Sequence, residues 1–275
     1  MKKLKTFLSN KQTIIGLIIL SILLIFAIFA PIISPGDPLF STGAPIQGPN
    51  NNHIFGTDNM GRDVWGMIIW GSRISMVFAF GAAGISLIIG VVLGALSGYI
   101  GGIFDDILSR IFEIFYIIPR TFLIILMVAI FGSSVTLMVI IVGATIWPSN
   151  AKIMRAQVLT LKNRAYVQAA EVAGGKKLSI LFRHIVPNGI GPVLSNSTLQ
   201  MAQAVLTEAS LSFLGLGDPA VASWGKILQA GQSHISSAPW LVIIPGIVIA
   251  LMLLAFNLLG TALQMTLNVK QQLFE

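Results

Sequence analysis

The chain has 275 residues, of which 55% are hydrophobic and 10% charged, with a mean hydropathy of +0.87. A soluble domain carries roughly 25% charged residues, so a water-soluble enzyme fold is excluded and lipid is the solvent that suits this composition. The net charge of +7 is spread between apolar runs rather than gathered on one face, which points to membrane orientation and not to nucleic acid, and the absence of cysteine rules out disulfides, thiolate metal sites and cysteine nucleophiles.

The N-terminus, Met1-Lys2-Lys3-Leu4-Lys5, resembles the start of a signal peptide. The apolar stretch that follows, 13–33, is too long for a signal core and is not followed by a small-residue cleavage site, so it reads as a retained first span. Five more stretches approach the ~20 residues that a bilayer requires: 76–99, 114–131, 135–147, 193–214 and 241–262. Pro119 is expected to kink the third. Only Gly132-Ser133-Ser134 separates the third from the fourth, a tight hairpin, and the fourth must continue past Pro148 to cross fully. The fold expected is an all-α polytopic membrane protein of about six transmembrane helices. Its parts are an N-terminus at 1–12, a first helix at 13–33, a polar segment at 34–75, a five-helix core at 76–265 with a hydrophilic loop at 152–188, and a C-terminus at 266–275.

The basic residues orient it. With the N-terminus inside, Lys2, Lys3, Lys5, Lys11, Arg110, Lys152, Arg155, Lys162, Arg164, Lys176, Lys177, Arg183 and Lys270 fall on the cytoplasmic side. Arg62, Arg73 and Lys226 fall outside, and Arg120 sits at a span boundary. The positive-inside tendency therefore places both termini and the 152–188 loop in the cytoplasm and 34–75 outside. In the second span, Gly90 and Gly94 form a small-xxx-small pattern suited to close helix packing. Asp105, Asp106, Arg110 and Glu113 read as a solvated or salt-bridged helix start.

The cytoplasmic loop carries the most specific pattern. Ala-rich chain through Gln168-Ala169-Ala170-Glu171 to Ala173 favours helix, Gly174-Gly175 ends it, and a second short helix is expected with Leu178, Leu181, Phe182 and Ile185 on one face, stopped by Pro187. Such a pair suits either an interfacial position or docking into a partner's groove. Glu208, a carboxylate at membrane depth, is costly and is a functional hypothesis by default, facing a translocation path or a subunit interface. His53, Asp58 and Asp63 do not have the spacing or number of a coordination shell, and no metal site is expected.

Three segments, in order, resemble one family. His53-x-Phe55-Gly56-Thr57-Asp58-x-x-Gly61-Arg62-Asp63-Val64, followed by Gly71-x-Arg73-x-Ser75, is similar to the N-terminal signature of dipeptide, oligopeptide and nickel permeases of the ATP-binding-cassette superfamily. Trp65-Gly66-Met67 departs from that pattern. The loop resembles the family's EAA motif, with Gln168 in place of Glu, Gly174 at the motif's glycine position, His184 in place of Ile and Val186-Pro187 in place of Leu-Pro. Glu208-Ala209-Ser210-Leu211-Ser212-Phe213-Leu214-Gly215-Leu216-Gly217, with Trp224-Gly225 beyond it, is the third match.

The resemblance implies a type I importer permease of the prokaryotic inner or plasma membrane, the second (C-type) permease of a pair, carrying a peptide or a nickel chelate. The loop would then be a coupling helix, with Gln168, Ala169, Ala170, Glu171, Gly174, His184 and Pro187 contacting the ATPase. Asp58, Gly61, Arg62, Asp63 and Arg73 would serve external docking. It also implies a homologous second permease, two ATPase subunits and a solute-binding protein. The sequence has no Gly-x-x-x-x-Gly-Lys-Ser/Thr loop, so no cofactor is expected on this chain, and ATP and Mg belong to the partner ATPases. Two other readings compete with it. Gly215-Leu216-Gly217-Asp218 matches an intramembrane aspartyl protease signature, but no second membrane aspartate accompanies it. An ion-coupled transporter should show paired broken helices in two halves, and no such symmetry is visible.

Overall fold

A computed structural model describes residues 10–272, and side chains up to residue 266. Lys2, Lys3 and Lys5 of the basic N-terminus, residues 273–275 and the side chain of Lys270 lie outside the described residues. Helix α1 spans Lys11–Ile33, capped by Asn10, whose Oδ1 accepts from the Gln12 amide. An irregular segment leads to α2, Val64–Ile100. The 34–75 stretch thus divides: its last third is already helix, because Asp63 caps α2 by accepting the Gly66 amide at 2.8 Å. At 37 residues α2 is about 55 Å long, well beyond the thickness of a bilayer core.

The third expected span is two helices, α3 (Gly102–Ile117) and α4 (Arg120–Phe131), which meet at 86°. The cause is local. Ile118, forced out of helical angles by the proline that follows, takes an extended conformation, and Pro119 has no N–H to continue the ladder. The outcome is a break, sharper than the kink expected. After a turn at Gly132, Ser134 caps α5, Val135–Leu161, which runs unbroken through Pro148. Short α6 (Ala165–Val172) and α7 (Lys177–Ile180) follow, then a π-helical turn, Leu181–Ile185, that leads directly into α8, Val186–Phe213. Helix α9 (Trp224–Gln232) and the long α10 (Trp240–Gln272) complete the chain.

Four of these helices, α1, α2, α5 and α10, are long and apolar enough to cross a membrane, and the bent pair α3–α4 makes a fifth. Helix α8, the expected fifth span, has the length but not the apolarity. The reason is its position: it packs against α2, α5 and α10, and its polar residues Ser195, Ser197, Gln200, Glu208 and Ser212 are all buried. A helix surrounded by helices need not dissolve in lipid.

A neutral polar cluster ties these three inner helices together. The Asn150 amide on α5 donates to Ser86 Oγ on α2 at 3.0 Å and to Ser197 Oγ and Gln200 Oε1 on α8 at 3.1 and 2.9 Å. Gln200 donates in turn to the Ile146 carbonyl, and Asn196 to Asn150 Oδ1. Around it, α2 lies directly against α5 along Gly90, Gly94 and Gly98. A side chain at these positions would meet the backbone of Trp147, Ala151 and Arg155, residues spaced by one turn. The small-xxx-small pattern is therefore a packing seam.

One end of the bundle is closed by an ion pair. Arg155 Nε and Nη2 donate to both oxygens of Asp105 at 2.6 Å, and Ser97 Oγ donates to the same carboxylate. This clamp joins α2, α3 and α5, and it is the salt-bridged helix start expected there. With Arg155 a third exposed, Asp105→Asn should lower stability by about 1–2 kcal/mol. The Asp105→Arg/Arg155→Asp exchange should recover at least half of that in thermal unfolding of the purified protein. Purely additive losses would show that the pair carries no coupling.

Candidate functional site

At the clamped end, the loop stands away from the bundle. Helix α6 finishes in a Schellman turn: the Gly175 amide donates to Ala170 O and the Gly174 amide to Glu171 O, both at 3.0 Å. Gly174 has φ +79°, the left-handed region, and a Cβ there would meet nothing within 4 Å. Gly175 differs, since a Cβ would press on the Ala170 carbonyl at 2.8 Å and on Ile180. Val167, Ile180, Leu181 and Ile185 are buried and pin the loop to Met154, Val158 and Val193. The outer side is apolar and bare: Val172 is 91% exposed and Leu178 60%, with Phe182 and Tyr166 also exposed.

Two loop expectations change. Leu178, Leu181, Phe182 and Ile185 do not share a face; the π turn adds a residue per turn and rotates Leu178 and Phe182 outward while Leu181 and Ile185 go in. Pro187 does not stop the helix either. It lies in the first turn of α8, where a missing N–H is tolerated, and the His184 carbonyl is taken by the Asn188 side chain at 2.7 Å. His184 and Pro187 are exposed beside that turn. Gln168 and Glu171 line one groove of about 520 Å³ with Tyr99, Lys162, Lys177 and Leu178. The acid that could stand in for the missing motif glutamate thus lies on the same surface as Gln168, next to two lysines. Tyr99, Lys162 and Lys177 carried no sequence signal for this role, because they come from three separate elements.

At the opposite end, the 34–63 segment forms a cap. Asp58 is buried, and its Oδ1 accepts the amides of Met60 and Arg62 at 2.8 and 2.9 Å. Gly61, at φ +72°, closes that turn so tightly against the Gly43 carbonyl that no side chain fits. Asp63 caps α2 with one oxygen and pairs with His53 Nδ1 at 3.0 Å with the other. The Thr57 carbonyl accepts from Trp240 Nε1, which joins the cap to the start of α10. Asp58, Gly61 and Asp63 thus shape the cap from inside. Arg62 reaches a cavity of about 410 Å³ shared with Ser212, Gly217 and Lys226, and Arg73 is exposed beside Trp70 and Val221. Burial pulls the Lys226 ammonium below the ordinary lysine range, and its Nζ donates to the Val221 carbonyl at 2.6 Å.

Glu208 lies behind that cavity. It is 2% exposed, Oε1 accepts from Ser212 Oγ at 2.8 Å, and Oε2 has no hydrogen-bond partner among the described residues. It faces neither lipid nor, within this chain alone, an open path. Asp218, of the protease-like signature, caps α5 by accepting the Val135 amide at 3.1 Å and also takes the Ala220 amide; among the described residues no second carboxylate bonds to it.

Comparison with known proteins is consistent with this arrangement. Residues 90–270 match the family described as binding-protein-dependent transport system inner membrane component, and residues 3–52 match the N-terminal TM domain of oligopeptide transport permease C. The chain is 39% identical to the oligopeptide transport system permease protein OppC of Bacillus subtilis, over 96% of this chain and 87% of that one. It is 37% identical to the dipeptide transport system permease protein DppC of Alkalihalophilus pseudofirmus, over 98% and 89%. In fold it resembles a chain of the MetNI methionine ABC transporter in an inward-facing conformation, with a TM-score of 0.56 and 18% identity over 73% of this chain and 97% of that one.

Proposed function

Because this chain belongs to the family of binding-protein-dependent transport system inner membrane components, we propose that it moves peptides, with a second homologous permease forming the other half of the path. It is a multi-pass inner-membrane permease subunit of an ATP-driven importer and has no ATPase chemistry of its own. The related proteins carry oligopeptide or dipeptide transport in their names, which favours peptides over nickel chelates. One of two ATPase subunits engages the 152–188 loop, and a solute-binding protein delivers cargo to the capped end, at Arg62 and Arg73. Basic residues crowd the loop end, so that end and both termini are cytoplasmic.

The observation that carries this reading is the α6 helix held out by its glycine turn, with Val172 at the tip almost wholly exposed. A bare apolar tip on a buried root is the form of a helix seated in a partner's groove. ATP-driven closure of the ATPase dimer would move that tip and rock the spans, shifting the chain between inward- and outward-open states. The natural chain has no cysteine, so Val172→Cys places one thiol at the tip. It should crosslink to cysteines introduced in the ATPase cleft in the assembled complex, and an assembled complex with no such crosslink would overturn the docking. The purified chain alone in liposomes should hydrolyse no ATP above background, and in the full complex peptide uptake should follow ATP rather than an ion gradient.

A further inference from the structure

The break between α3 and α4 sets a charge in an unusual place. Arg120 begins α4, and its Nη1 donates to Gln203 Oε1 on α8 at 3.3 Å. Gln203 lies one turn beyond Gln200, which bonds to the Ile146 carbonyl near the midpoint of α5. The guanidinium is therefore close to half depth in the bundle. It is exposed, and the apolar residues around it, Ile117, Phe122 and Leu206, are exposed too.

A cation at that depth does not face hydrocarbon; it faces water or another protein group. Among the described residues no carboxylate pairs with it, and one of its five donors is used. Beside it is an open pocket of about 390 Å³, lined by the polar Thr121, Gln203 and Thr207 together with the apolar Phe115, Ile124 and Leu206. A single acidic side chain from a neighbouring subunit would fill only part of that space.

We propose that Arg120 and this pocket form a carboxylate-binding subsite within the translocation path, taking the free C-terminal carboxylate of a passing peptide on the guanidinium fork while the adjoining side chain lies against the apolar lining residues. A planar fork with free donors matches a carboxylate in geometry as well as charge. The pocket lies at the 86° break, where Pro119 and Arg120 line it and Arg120 meets Gln203 of α8. The inference rests on the peptide-permease reading.

The test uses the complete complex in proteoliposomes, with the binding protein saturated by either of two cargoes: one peptide as its free acid, or as its C-terminal amide. The initial uptake rates give an acid-to-amide ratio for each variant. In Arg120→Gln that ratio should fall about tenfold from the wild-type value, and Arg120→Lys should restore part of it. Equal loss for both cargoes, or failure of the second permease to co-purify, would assign Arg120 to the interface and overturn the subsite, as would an unchanged ratio. If the wild-type complex takes up neither peptide, the peptide reading itself fails and the subsite fails with it.

Discussion

Gly174→Val should give a complex that assembles with its second permease yet loses nearly all transport. At φ +79° a β-branched residue costs about 1–2 kcal/mol in backbone strain. No neighbour lies within 4 Å of the added carbon, so this cost is purely conformational. The loop relieves it by opening the Schellman turn, which turns the α6 tip away from its docked direction. The root residues Leu181 and Ile185 stay buried, and the spans are not touched. Uptake and binding-protein-stimulated ATP hydrolysis should therefore fall together, and less ATPase should co-purify. Gly174→Asn is the control: asparagine tolerates left-handed angles and should retain most transport. A Val variant that transports at the wild-type rate would show that the loop does not couple the two machines.

Gly94→Val should act on the other level, through folding. A Cβ at Gly94 would collide with the Ala151 carbonyl oxygen and approach its Cα to 2.8 Å, both backbone atoms of α5 that cannot rotate away. The helices must separate, and the seam that holds Asn150 against Ser86 opens with them. A cost of about 3 kcal/mol or more follows from overpacking with no flexible neighbour, read as a lower unfolding temperature and a reduced steady-state level. Gly84, nearer the start of the same helix and with nothing within 4 Å of its added carbon, supplies the contrast: Gly84→Ala should be neutral or slightly stabilising. If Gly94→Val expressed and melted like Gly84→Ala, the seam would not be a determinant of the fold.

Where side chain and backbone speak locally, these features were legible from residue order alone. The five apolar spans, a bend at Pro119 though not its sharpness, the glycine turn at 174 and the glycine seam follow from periodicity, proline chemistry and helix caps. Helix α8 was legible in position but not in character: its buried Ser197 and Gln200 are satisfied by Asn150 and Ser86, 47 and 114 positions away, and no local pattern announces such partners. Asp58 and Asp63 are a different case: they are spent on amides two to four positions along the chain, so their turn-forming role was within reach of the local sequence and only the burial of Asp58 was not. Pro187 misled for a different reason. A proline ends a helix approached from its C-terminal side and begins one approached from its N-terminal side, and the π turn before it decided which.

The cap also constrains the order in which this protein can be made. Thr57, in the first polar segment, bonds to Trp240 at the start of the last helix, and Gly16 on α1 lies against the backbone of Ala255 on α10. The earliest parts of the chain are thus completed by the latest. During synthesis α1 and the 34–63 segment can pack against α2 but must wait, with their contacts to α10 unmade, while roughly two hundred residues emerge. A ribosome stalled before α10 leaves both ends of that clasp unfastened, and a truncated chain presents its unfinished first segment to whatever proteases patrol that face of the membrane.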